Sequence, residues 1–393
     1  MPSHASKIDF TGPSHHLRPY DGAKRLVVFF GAKDLSFEKY NFFQTGRELP
    51  EHCLFLNNGV NHWYQYGVPG VGADFATTVD AIKHWRDVLG VEEVLTIGTS
   101  MGGYGAIQYG AALNARVLAF ATDARLMDKH SQSSRHFIKE GPPSCPDLCE
   151  LLAKTPTDVT LFAGERDAVD LHSASQFNRI DCVRAISLIG SDHILPTYLS
   201  RQARLVPLLR SFVAGNGIPH QPDAGDALTC HGYVENAFAA FDATQEQDWT
   251  RCEAAARSAL EAYPHGEAAN LLLGRALLQQ DRVEDALMRL AVCSASQPDD
   301  IEAKTLLALA LRRVGARAQA RHVYDQILLQ KPGSHRSWYA LCILALDAGD
   351  LHAALSAGRK AAKIFPSSKL YQDRVENIEA RLGMQKTPDH KHR

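Results

Sequence analysis

The chain has 393 residues, 45% of them hydrophobic and 22% charged, with a formal net charge of −2. That balance excludes a disordered chain and allows two ordinary domains. With no basic run, it gives no footing to nucleic acid or to an anionic membrane surface. No apolar run is long enough to span a bilayer. The opening MPSHASKIDF lacks the charged-then-apolar order of a secretory signal. Eight cysteines are scattered without paired spacing, so reduced thiols and a cytoplasmic location are expected.

In chain order, His15-His16 reads as a solvated segment. Short apolar runs follow at 26–30, 53–56, 94–97, 117–120, 159–162 and 185–189, bounded by turn residues and separated by amphipathic stretches such as 76–89. Runs apolar on both faces suit buried parallel strands, and their alternation with helices predicts an α/β domain over 1–214, its mostly parallel sheet sandwiched by helices. The segment 94–97 leads directly into Gly98-Thr99-Ser100-Met101-Gly102, and a helix is predicted at once over 103–113. This is G-x-S-x-G in a strand-turn-helix context. A nucleophile projecting from so sharp a turn forces its backbone toward a strained, left-handed conformation. Side chains two residues away on either side would collide, which accounts for Gly98 and Gly102. Gly103 and Gly105 let the helix lie close to the strand. The helix N-terminus points at the hydroxyl, and the Met101 N–H is the first donor for a developing oxyanion.

With that turn, the N-terminal half resembles the α/β-hydrolase superfamily. The resemblance implies the order serine, acid, histidine, each in a loop at the C-terminal end of a strand. The loop Gly164-Glu165-Arg166-Asp167 is similar to the family's acid loop, with Asp167 as the acid, and Gly190-Ser191-Asp192-His193 to its histidine loop, with His193 as the base. The resemblance therefore implies a Ser100, Asp167, His193 triad. Asp170 in the same loop and Asp123 after the run 117–120 remain alternative acids, whereas Asp192 reads as a solvated neighbour. The second oxyanion donor is expected from Gly31-Ala32-Lys33, with Ala32 favoured and Gly31 next.

The loop 57–72 follows a strand and opens on the same sheet edge. Its His62, Trp63, Tyr64 and Tyr66 are expected either to wall the substrate pocket or to pack the loop onto the domain. The stretch 122–158 carries Arg125, Lys129, His130, Arg135, His136 and Lys139, which makes either a basic pocket rim or a solvated helical face. Neither G-x-G-x-x-G nor a P-loop is present, so no cofactor is expected. Cys145 and Cys149 lack two further ligands nearby, and neither His15-His16 nor the tail DHKHR makes a metal site, so no metal is expected.

The stretch GNGIPHQPDAG reads as a linker over 215–227. Beyond it the pattern is helical and repeats: Pro264, Pro298, Pro332 and Pro366 lie 34 residues apart. Aligned on these prolines, Cys252, Ala286, Ala320 and Ala354 share one small-residue position, and Gly315 and Gly349 share the turn between paired helices, where the other two repeats carry Gln247 and Asp281. Gly274 sits at another small position and Trp338 at an aromatic one. The pattern resembles the tetratricopeptide-repeat (TPR) family and implies an all-α solenoid of about four repeats over 228–383, with a capping helix at 367–382, then a tail over 384–393. The resemblance implies a groove for a protein or peptide partner, or self-association. Leu271, Leu272, Leu306 and Leu307 stand at the inner positions where some members clamp a C-terminal carboxylate, so that ligand is not expected.

Together these features lead us to expect a serine esterase, cleaving an ester, a thioester or an O-acetyl group on a glycan or other polar substrate of small or medium size, as a carbohydrate esterase does. The alternatives are an acyltransferase using the same triad and a non-catalytic scaffold on a retired hydrolase fold.

Overall fold

A computed structural model describes residues 11–155 and 157–385. The opening residues 1–10, read above as lacking a secretory signal, and the tail residues 386–393 lie outside the described residues. The chain divides into two compact units. One runs to Asp242 and takes in Ser258–Ala268; the other comprises Ala243–Arg257 and continues from Ala269.

The first unit is built on a nine-stranded sheet. Its strands are β1 (Thr11–Gly12), β2 (His15–Arg18), β3 (Arg25–Phe30), β4 (His52–Leu56), β5 (Glu93–Thr99), β6 (Arg116–Phe120), β7 (Val159–Gly164), β8 (Val183–Leu188) and β9 (Ala224–Gly225). The spatial order is β1-β2-β4-β3-β5-β6-β7-β8-β9. β4, β3, β5, β6, β7 and β8 are parallel, and β1, β2 and β9 join antiparallel at the two edges. All six predicted strands are present within a few residues of their expected bounds. Strands buried on both faces can be apolar at every position, which is why RLVVFF and HCLFL form strands without alternation.

The helices of this unit are α1 (Phe43–Gly46), α2 (Phe75–Val88), α3 (Met101–Leu113), α4 (Gln132–His136), α5 (Leu148–Lys154), α6 (Ala168–Ser175), α7 (Leu195–Arg201) and α8 (Leu205–Ala214). One sheet face presents Phe29, Phe55, Ile97, Phe120 and Phe162 to Leu208, Leu209 and Phe212 of α8. The other presents Phe30, whose ring meets Tyr109 of α3 at 5.2 Å and Tyr64 edge-on at 5.1 Å. Strand order reverses between β3 and β5, since the chain steps from β3 outward to β4 and returns on the far side of β3. Such a switch point opens a crevice at the carboxyl ends of the strands.

Two expectations are corrected. His15-His16 belongs to β2, with His15 buried against the ring of Trp85 at 5.3 Å. A short antiparallel edge strand carries too little period to stand out in sequence. The stretch 215–227 is not a free linker. β9 pairs with β8, and the buried Glu165 carboxylate accepts hydrogen bonds from the Ala227 N–H at 3.1 Å and the Ser187 hydroxyl at 2.7 Å. Two proline residues outside the paired positions hid the strand.

Past β9 the chain is helical: α9 (Tyr233–Gln245), α10 (Trp249–Ala262), α11 (Glu267–Gln279), α12 (Val283–Ser296), α13 (Ile301–Arg313), α14 (Arg317–Gln330), α15 (His335–Asp347), α16 (Leu351–Ile364) and α17 (Lys369–Gln385). The paired lengths repeat with the proline period, and α17 is the expected capping helix. No helix among the described residues is long and apolar enough to cross a membrane.

Candidate active site

Ser100 stands between β5 and α3 with φ 55° and ψ −123°. A methyl group on Gly98 would overlap the Gly102 carbonyl, and one on Gly102 would overlap the Phe30 carbonyl. Both glycines are thus required by the close approach of β3, β5 and the first turn of α3. Ser100 occupies the N-cap of α3 without capping it, which leaves its hydroxyl available. Met101 is the first residue of the helix, so its N–H has no intrahelical acceptor.

The Ser100 Oγ lies 3.0 Å from Nε2 of His193, and Nδ1 of His193 lies 2.9 and 3.0 Å from the two carboxylate oxygens of Asp170. The expected serine and histidine come together. The carboxylate on the imidazole is that of Asp170, not Asp167. The reason is helix capping. Asp167 is the N-cap of α6, and its Oδ1 accepts from the backbone N–H groups of Val169 (2.9 Å) and Asp170 (3.1 Å). Its side chain is thereby turned onto its own helix, and the first turn of that helix delivers Asp170 to His193. Asp123 is also engaged elsewhere, accepting from the N–H groups of Ser133 (2.8 Å) and Gln132 (3.3 Å) at the start of α4.

Three carboxylates act on one imidazole. Burial works to lower the His193 pKa, but Asp170, then Asp167 and Asp123, outweigh it and push the value up to about 9. Burial, followed by the charge of Asp167, pushes Asp170 up to about 6 against the pull of His193. Asp167, Asp170 and His193 form the one trio of metal-binding type among the described residues. Both ring nitrogens of His193 are engaged, by Ser100 and Asp170, leaving none for an ion.

The expected second oxyanion donors are both occupied. The Gly31 N–H donates to the Leu56 carbonyl at 2.9 Å, where β3 and β4 still pair. The Ala32 N–H donates to Oδ1 of Asn41 at 2.6 Å. The aromatic residues hold their loop in place. Trp63 and Tyr64 are fully buried, the Tyr64 hydroxyl donates to the carbonyls of Gly31 (2.9 Å) and Leu56 (3.2 Å), that of Tyr66 donates to Gly141 (2.8 Å), and His62 pairs with Glu140. Of the expected basic rim, Arg125 pairs with Asp147, and Lys129 and His130 with Asp242; Arg135, His136 and Lys139 are exposed.

A cavity of about 1170 Å³ has none of Ser100, Met101, Asp170 or His193 in its lining, though it reaches their neighbours in the chain. Thr99, next to Ser100 in the chain, Pro196 and Thr197 beyond His193, and Asn41, Tyr40 and Phe42 line it. Sequence reasoning missed the segment 35–45, which has neither strand nor helix periodicity; the signal there is its density of aromatic residues after β3.

Tetratricopeptide-repeat family models match residues 243–310 and 305–369. Residues 243–369 are tetratricopeptide repeats. No curated protein matches the chain. Similar solved structures include MamA, 16% identical over 39% of this chain and 84% of that one with a TM-score of 0.36. MamA 41-end from Desulfovibrio magneticus RS-1 is 13% identical over 40% and 88%, with a TM-score of 0.37. YrrB, described as a TPR protein with an unusual peptide-binding site, is 18% identical over 46% and 88%, with a TM-score of 0.35.

The TPR array follows the small-residue pattern closely. Cys252, Ala286, Ala320 and Ala354 are completely buried where helices cross, and a methyl on Gly274 would crowd the Leu290 side chain at 2.7 Å. Gly315 and Gly349 turn with φ of 78° and 76°; Gln247 and Asp281 make the same turn at 58° and 60°. Trp338 donates from Nε1 to the Pro332 carbonyl at 3.1 Å, with the Lys360 ammonium 4.0 Å from its ring centre. A TPR array of this kind points to protein or peptide interaction.

Proposed function

We propose that the α/β unit is a serine acyl hydrolase and that its TPR array recruits a protein or peptide partner. The observation that carries this reading is the unbroken chain Ser100–His193–Asp170, with the serine held at positive φ at a helix N-terminus.

The reaction follows from the contacts. His193 Nε2 takes the Ser100 proton as Oγ attacks the substrate carbonyl carbon. The negative charge on the carbonyl oxygen falls to the Met101 N–H and the positive end of α3. Asp170 fixes the imidazole tautomer and stabilises the imidazolium. His193 then returns the proton to the departing oxygen or sulfur, leaving an ester on Ser100. Water, deprotonated by the same nitrogen, attacks that ester and releases the acid. Esters, thioesters and O-acetylated glycans, whose carbonyl carbon such a serine attacks, are the substrates to test.

The deciding experiment is fluorophosphonate labelling with turnover of p-nitrophenyl esters of increasing acyl length. Wild type is expected to label and turn over, and Ser100→Ala to do neither. A wild type that fails to label would favour the scaffold reading.

A further inference from the structure

The geometry points to the Asn41 side-chain amide as the second oxyanion donor. This inference rests on the acyl-hydrolase reading of Ser100.

Register locates the residues. Phe30 of β3 pairs with Gly98 of β5 at the end of the ladder, and a methyl group on Gly102 would meet the carbonyls of Phe30 and Gly31, so the chain leaving β3 runs beside the turn at Ser100. A backbone N–H at Ala32 would ordinarily serve an oxyanion there, but it is committed to Asn41 Oδ1 at 2.6 Å. That bond settles the orientation of the amide: the oxygen faces Ala32, and Nδ2 beside it keeps two N–H groups. Nδ2 has no acceptor among the described residues, and Asn41 lines the cavity together with Thr99. The site thus exchanges a backbone donor for a side-chain donor held on that same backbone N–H.

An amide in this position could instead be a plug that swings away. The loop argues for a fixed donor. It is tied down at Glu38 N–H to the Pro13 carbonyl (2.8 Å), at Asp34 N–H to Asn61 Oδ1 (3.0 Å), and by Asn57 Nδ2 to the carbonyls of Ser36 and Lys39 (2.9 Å each). A donor fixed before the charge develops stabilises it without reorganisation.

The test compares the full-length wild type with Asn41→Ala, Asn41→Asp and Ser100→Ala on p-nitrophenyl acetate, each on the plateau of its own pH profile, with thermal melting to confirm folding. Asn41→Asp keeps an oxygen for the Ala32 N–H and loses the donor, so it carries the test if the alanine variant does not fold. A donor predicts that kcat falls about 10²–10³-fold with KM within about threefold, and that affinity for a trifluoromethyl ketone falls in parallel. Unchanged or increased kcat in folded variants overturns the assignment, an increase marking a plug that had masked Ala32. Ser100-dependent turnover that ignores Asn41 overturns this inference alone; wild-type turnover no better than Ser100→Ala overturns the hydrolase reading and this inference with it.

Discussion

Ser100 and the repeat turns at Gln247 and Asp281 place side-chain-bearing residues at nearly the same φ, 55° against 58° and 60°, for different reasons. At Ser100 the conformation is imposed: two glycines whose positions admit no methyl group lock the turn between β3, β5 and α3. In the repeats it is only tolerated, because the equivalent turns at 315 and 349 use glycine and space there is open. A positive φ on its own therefore says little. What separates a working turn from an indifferent one is whether its neighbours leave any alternative.

The comparison is broken or sharpened first at Ser100. Ser100→Gly should abolish turnover and labelling, a loss of at least about 10⁴-fold, while raising the melting temperature, since a non-glycine residue at positive φ costs about 1–2 kcal/mol. A variant that melts lower would mean the turn is not strained. Next comes the acid. Asp170→Asn should lower kcat about 10³–10⁴-fold, whereas Asp167→Ala should cost about 1 kcal/mol of stability as a lost N-cap and leave kcat within about tenfold; urea melts and steady-state kinetics check both, and the reverse ranking would restore Asp167 as the acid.

A third effect is on pH. Catalysis needs the unprotonated imidazole, so a raised pKa moves the rising limb of kcat/KM to higher pH: from the ordinary 6.5 of histidine toward about 9. Removing a carboxylate with Asp167→Asn should bring that limb back toward acid, and an unmoved limb would show that its charge does not reach the ring. The smallest effect is in the repeats. Gln247→Gly and Asp281→Gly should each gain at most about 1 kcal/mol, read by thermal melts, with turnover unaltered; destabilisation at either would mean these turns are constrained after all.

The tight turn at Ser100, all six central strands and the repeat period were legible in the sequence, because each is dictated by local sterics or by burial that repeats along the chain. It favoured Asp167, where the structure sets Asp170 against the imidazole, because the two are three residues apart and only the start of α6 decides which faces His193. A helix boundary between two candidates is a matter of a residue or two, finer than periodicity resolves. The aromatic residues of 62–66 could have walled a pocket or packed a loop, and their partners, Gly31, Leu56 and Gly141, are contacts between segments far apart in sequence. Asn41 was invisible for the same reason: it matters through a bond to Ala32 that no spacing rule foretells.

The edge strand β9 has a practical consequence for anyone cutting this gene. Ending the chain at residue 214, where the composition changes, would strip β8 of its neighbour and deprive Glu165 of the Ala227 N–H. The Gly190 N–H, three residues before His193, donates to Glu267 at 2.8 Å, and the Ala268 N–H donates to the Glu165 carbonyl at 3.2 Å. The loops that lead to Asp170 and His193 are therefore buttressed from more than fifty residues downstream of that cut, and a shortened chain would lose those bonds.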